Sequence, residues 1–207
     1  MGHSPLGRGA SQHAMRGLPL HFCKPLEVIA MEKRAKVFIA GSRRLSRLSA
    51  DVLQQIDNVL DQGCTVLVGD ASGVDKAVQE YLNARQYGEV VVFCAGGKWR
   101  RNAGHWPVKS IGDGDLPQRD FAYFYAKDRV MARDCDYGLM IWNGRSPGTL
   151  ANILDLVKEA KPAIVYVARN KRFFTLWSPE DLSSMLEVVA PDLLLAVEGE
   201  WSALAVA

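Results

Sequence analysis

From Lys36 onward, apolar and polar positions fall into regular blocks. Val37-Phe38-Ile39-Ala40 is a short, continuously apolar run that stops at Gly41, the pattern of a parallel strand buried on both faces. Leu53, Ile56, Val59 and Leu60 then repeat at helical spacing behind Ser49, an N-cap candidate, and Gly63 sits where that helix needs a left-handed stop. Thr65-Val66-Leu67-Val68 predicts the second strand, closed by Gly69-Asp70-Ala71-Ser72-Gly73. Asp75 to Ala84 reads as a helix with Val78, Tyr81 and Leu82 inward, and Val90-Val91-Val92-Phe93 as the third strand.

Ala95 to Pro117 breaks the rhythm, with neither strand nor helix periodicity; a connection this long is usually functional or mobile, and a lid is one role for it. Gln118 to Cys135 resumes as a helix, and Tyr137 to Trp142 is the fourth strand. The loop Asn143 to Thr149 follows, then a helix from about Thr149 or Leu150 to Ala160, and Ala163 to Val167 as the fifth strand. The turn Ala168-Arg169-Asn170 is ordinary. Ser178-Pro179-Glu180-Asp181 has the make-up of a helix start, with acids in the first turn, and leads a helix to about Val189. The apolar tail Leu193 to Ala207 is expected to pack back as an add-on.

Short apolar strands alternating with helices, without hairpin dipeptides between them, predict right-handed βαβ units. The fold class is therefore α/β: a Rossmann-like, doubly wound parallel sheet of about five strands in the order 3-2-1-4-5, with a C-terminal helical extension. Residues 1–34 form a poorly specified leader in which Met15 or Met31 is an alternative start, residues 35–168 the domain, and residues 169–207 the extension.

Composition narrows the class. With 207 residues the chain has the length of about one domain, and its 48% apolar and 23% charged residues are ordinary for a globular protein. A net charge of +2 gives no support for a large nucleic-acid interface, which needs a basic face with many phosphate contacts. Arg43-Arg44 and Arg100-Arg101 could hold a few phosphates. The balance thus points to a small anionic ligand, with neither extended nucleic acid nor membrane as partner. The cysteines at 23, 64, 94 and 135 lie far apart, without a CxxC pair or a histidine at metal-ligand spacing. They read as buried, reduced thiols of a cytoplasmic protein, and no metal or cofactor is expected.

In a doubly wound sheet, ligands bind beyond the carboxyl ends of the strands where the strand order reverses. The loops after strands 1, 2 and 4 meet there. Gly144 and Gly148 remove Cβ obstruction, Ser146 and Thr149 offer hydroxyls, and a helix start directs free N–H groups at the same spot, a combination suited to phosphate. Gly41, Ser42 and Arg43 face them from the first turn, Arg43 with a donor fork that fits phosphate or carboxylate. Gly69, Asp70, Gly73 and Asp75 come from the second loop, where an acid could accept ribose hydroxyls; Asp70 could equally close an Asx-turn and Asp75 cap its helix. On residues alone, Lys127-Asp128-Arg129 is a solvated helix face.

The Gly-Ser-Arg turn, the segment Gly69-Asp70-Ala71-Ser72-Gly73-Val74-Asp75, the helix segment Lys127 to Met131 and the loop Trp142 to Thr149 stand in an order that resembles the SLOG superfamily, most closely its YspA/YpsA-related branch. The likeness runs from about Lys36 to Ala168. It implies a Rossmann-like fold and a nucleotide-derived ligand, and it brings Lys127 and Asp128 to the site. The related LOG phosphoribohydrolases cleave the N-glycosidic bond of nucleoside monophosphates. Their motif Pro-Gly-Gly-x-Gly-Thr-x-x-Glu maps onto Gly144 to Asn152, so the catalytic glutamate is replaced by Asn152, and the upstream arginine by Lys127. An amide cannot serve as a carboxylate base, so hydrolysis would need Asp75 or Asp128 as the catalytic residue.

Three functions follow as expectations. The first is binding or sensing of a nucleoside phosphate or ADP-ribose-like ligand, and the second N-glycosidic hydrolysis of a nucleoside 5′-monophosphate. The third is an interaction protein whose homo-oligomer surfaces are the tail and the aromatic segment Phe121 to Tyr125. The lack of G-x-G-x-x-G after the first strand argues against an NAD-dependent dehydrogenase.

Overall fold

The computed structural model describes residues 34–112, 121–194 and 197. The leader (apart from Arg34), the first residues of the helix predicted from Gln118 and most of the apolar tail lie outside these. The sheet order is β4-β3-β2-β1-β5-β6-β7. Its members are β1 (Lys36–Gly41), β2 (Thr65–Gly69), β3 (Val90–Ala95), β4 (Val108–Ile111), β5 (Tyr137–Trp142), β6 (Ala163–Val167) and β7 (Arg172–Leu176). Five of these are the predicted strands in the predicted order, and the fold is the Rossmann-like α/β sheet the pattern implied. It has seven strands rather than five, because β4 adds a parallel edge beside β3 and β7 an antiparallel edge beside β6.

Both additions fall where the sequence pattern was silent. β4 lies inside the long connection expected to be irregular, and none of its four residues is fully buried. β7 forms a hairpin with β6 through a turn where Lys171 adopts φ +50°, without glycine or a hairpin dipeptide. The turn expected to be ordinary therefore reverses the chain.

Side chains alternate across the sheet as the period of two requires. Val37 and Ile39 face one core with Val66, Val68, Leu139 and Ile141, covered by α1 (Ala50–Asp61) and α2 (Val74–Ala84). Phe38, Leu67, Phe93, Met140 and Trp142 face the other, covered by α3 (Phe121–Asp134), α4 (Pro147–Lys158) and α5 (Pro179–Val189). Ser49 caps α1 through the Val52 N–H, Gly63 follows at φ +67°, and Ser178 and Asp181 close a capping box on α5. Cys64, Cys94 and Cys135 are free and buried. No helix among the described residues is long and apolar enough to cross a membrane.

Chain direction decides where the site lies. From β1 the chain winds outward through β2 and β3 to β4, then returns by α3 to β5 on the other side of β1. The reversal leaves a crevice beyond the carboxyl ends of β1 and β5, which are direct parallel neighbours.

Candidate functional site

An open cleft of about 650 Å³ occupies that crevice. Its floor is a chain of hydroxyls. Ser42, fully buried at the end of β1, takes a hydrogen bond from the Asn143 backbone N–H (3.1 Å) and lies 3.3 Å from the Thr149 hydroxyl. Thr149 in turn donates to Ser146 Oγ at 3.1 Å. These contacts tie the β1 turn to the start of α4 across the sheet.

The loop after β5 is shaped by its own side chains. Asn143 Oδ1 accepts from the backbone N–H groups of Arg145 (3.0 Å) and Ser146 (2.8 Å), while Gly144 between them takes φ +80°. Trp142 Nε1 donates to the Ser146 carbonyl at 3.0 Å and fixes the turn from below. Pro147 occupies the first helical position behind the N-cap Ser146, so α4 starts earlier than the expected Thr149 or Leu150. Gly148 and Thr149 therefore stand inside its first turn, where backbone N–H groups lack intrahelical acceptors.

One turn further along α4, on the same face as Gly148, lies Asn152. It is 4% exposed and lines the cleft, yet its Oδ1 accepts no hydrogen bond among the described residues. A buried acceptor left open costs roughly 1–3 kcal/mol. A ligand that donates to it would remove that cost.

The third wall is α3. Phe124, Lys127 and Asp128 share one face of this helix and line the cleft with Tyr125. Lys127 is 3% exposed and donates to Asp128, so the segment read from residues alone as a solvated face is partly interior. Burial alone would lower the Lys127 ammonium pKa, but the Asp128 and Asp75 carboxylates outweigh it and hold the group above its ordinary value. Burial, with Asp128 adding to it, pushes the Asp75 carboxyl up to about 6 against the opposing pull of Lys127.

Gly41, Ser42, Arg43, Asp75, Lys127, Asp128, Ser146, Gly148 and Thr149 all line the cleft. Gly69, Asp70, Gly73 and Gly144 do not. Asp70 is gripped by Arg100, whose backbone N–H and Nε each reach Oδ2 at 3.0 Å while Nη2 meets Oδ1 at 2.6 Å. Burial opposes its ionisation, but these bonds win and hold its pKa below the usual carboxylate value. The glycines serve the chain's own packing. A Cβ at Gly69 would lie 2.3 Å from Asp75 Oδ2, one at Gly73 2.3 Å from the Arg43 carbonyl oxygen, and one at Gly144 2.9 Å from Arg169 Cδ.

Sequence reasoning named Asn152 only as a missing glutamate and Phe124 only within the aromatic segment offered as an oligomer surface. Arg44 was read, with Arg43, as able to hold phosphate, and Arg145 belonged to the right loop without a role. Here Arg43, Arg44 and Arg145 stand exposed around the rim, and none forms an ion pair among the described residues. Arg43 and Arg100 both lie over the Phe124 ring, at 5.7 and 4.9 Å from its centroid.

No family model and no curated protein matches the chain. It is similar to a solved structure of DNA processing protein A from Helicobacter pylori, described for its single-stranded DNA binding mode, with 19% identity over 63% of this chain and a TM-score of 0.49. The chain spans 64% of the length of that protein. The ligand named for that structure is a DNA strand, which stands against the expectation of a small nucleotide-derived ligand, with nucleotide hydrolysis as its alternative and extended nucleic acid excluded. A net charge averaged over the whole surface had hidden the clustering of unpaired arginines at one open cleft. Asp70, offered as a ribose acceptor, is already engaged by Arg100.

Proposed function

We propose that the cleft binds single-stranded nucleic acid by its backbone, one phosphate resting on the first turn of α4. The observation that carries this reading is the trio Arg43, Arg44 and Arg145, exposed and unpaired among the described residues, around an open cleft with a buried, unpartnered acceptor. The N–H groups of Gly148 and Thr149 suit one phosphate oxygen. Three guanidinium groups exceed what a single phosphodiester needs, which favours a strand carrying several. Asn152 Oδ1 requires a donor, which an ionised phosphodiester lacks and a nucleotide offers through its base or a sugar hydroxyl. Phe124, already faced by two guanidinium groups, gives the wall an aromatic surface against which a base can lie.

The order of the four motifs supports placing the chain in the SLOG superfamily, and the buried free thiols support a cytoplasmic location. Fluorescence anisotropy with a labelled 12-nucleotide oligothymidylate at low salt tests the function. Binding at micromolar protein that weakens about tenfold or more in the Arg43→Ala/Arg145→Ala double variant is expected. A strand left unbound at millimolar protein would refute the reading.

A further inference from the structure

Trp99 and Trp106 belong to the same connection between β3 and β4 and are treated in opposite ways. Trp106 is 7% exposed, packs into the core under α2 and donates its indole N–H to the Tyr87 carbonyl at 2.9 Å. Trp99 is 54% exposed, and no ring or cation packs on it among the described residues. Its exposure does not come from a loosely tied backbone. Before it, the Gly97 N–H donates to Ser110 Oγ at 2.6 Å; after it, Arg100 is bound to Asp70 by backbone and side chain, and the Ala103 N–H donates to Gln79 Oε1 at 3.0 Å. The flanking bonds hold the indole out in water.

Its neighbours carry charge. Lys98, Arg100 and Arg101 are all exposed, and neither Lys98 nor Arg101 meets an acid among the described residues. The turn adjoins the cleft, because the Arg100 guanidinium lies over Phe124, which lines it. An exposed aromatic between cations, beside an anion cleft, is the surface on which single strands stack their bases.

We propose that the turn 98–101 is a second contact point for the strand: a base stacks on the Trp99 indole while flanking phosphates meet Lys98 and Arg101. This inference rests on the nucleic-acid reading of the cleft. Anisotropy of the full-length protein with two 12-nucleotide strands, one of thymidine and one abasic throughout, tests both and separates them. Trp99→Ala should weaken the thymidine strand about tenfold, leave the abasic strand unchanged, and be largely rescued by Trp99→Phe. Equal affinity of wild type and Trp99→Ala for the thymidine strand overturns the stacking contact and leaves the cleft standing. A loss of equal size on both strands also overturns it, because the effect would not then pass through a base. If the wild type binds neither strand, the cleft reading itself falls.

Discussion

The segments that close β2 and open α4 are built from the same materials, two glycines each (Gly69 and Gly73, Gly144 and Gly148) with short polar side chains, and do opposite things. After β2 the inward polar groups are satisfied by the chain. Asp70 is held by Arg100, Asp75 accepts from the Ala71 N–H at 3.2 Å, and Gln79 donates to the Gly69 carbonyl at 2.8 Å. After β5, Asn143 closes the turn, but the first turn of α4 and Asn152 Oδ1 are left facing the cleft. Glycine allows close approach without saying what approaches. At Gly69 and Gly73, as at Gly144, the visitor is the protein itself; at Gly148 the proposed reading makes it a ligand.

Substituting one glycine in each loop separates the two roles most sharply. Gly148→Asp puts a carboxylate where a phosphate would rest and should weaken oligonucleotide binding at least about 100-fold, since like charges in contact cost several kcal/mol. Its melting temperature should hold or rise, because an acid in a first helical turn is favourable. Gly73→Ala should instead lose about 3 kcal/mol of folding stability in a urea titration. Its backbone sits at φ +79°, ψ −127°, and the new Cβ would meet the Arg43 carbonyl. If Gly73→Ala folds normally, or Gly148→Asp binds normally, the contrast between the loops is wrong.

Arg100→Met tests the closed loop further. It strands the Asp70 carboxylate, which is 1% exposed, and should cost about 2 kcal/mol at pH 7, below the value for a fully buried pair because the arginine side chain is 40% exposed. The folded pKa of Asp70 is depressed, so its contribution is present above the unfolded carboxyl value and is lost as pH falls through the folded one. The penalty of Arg100→Met should therefore shrink in acid.

Asp75 has the opposite sign. Its folded carboxyl titrates at about 6, above the unfolded value of about 3.9, so its contribution is fully present below the unfolded value and is lost as pH rises through 6. Asp75→Asn should then stabilise the protein by about 1–2 kcal/mol at pH 7.5, where Lys127 loses one partner, with no gain near pH 4. Wild-type protein should also bind the strand more tightly below pH 6 than above it, and the variant should lose that dependence.

The central strands were legible in the sequence because burial on both faces leaves unbroken apolar runs, as in Val37 to Ala40. Val108–Ile111 and Arg172–Leu176 were not, since edge strands are half in water and show no such run. In the site, the glycine loops were visible but their partners were not. That Arg100 reaches back to Asp70 depends on thirty residues of intervening chain, which no local pattern encodes. Lys127 reads as a surface lysine by composition and is buried because Asp75 and Asp128 stand beside it. The resemblance of its segment to a family, not its periodicity, pointed inward. Asn152 was read for the glutamate it lacks, whereas its importance here is an acceptor with nothing to accept.

The most direct measurement is the salt dependence of affinity for a 12-nucleotide oligothymidylate, with thymidine monophosphate as the control. Three unpaired rim arginines predict a slope of log K against log salt of about −2 or steeper, at roughly 0.7 per phosphate contact on a single strand, and a monophosphate that binds far more weakly than the strand. A flat salt plot, or a monophosphate that matches the strand in affinity, would contradict the account.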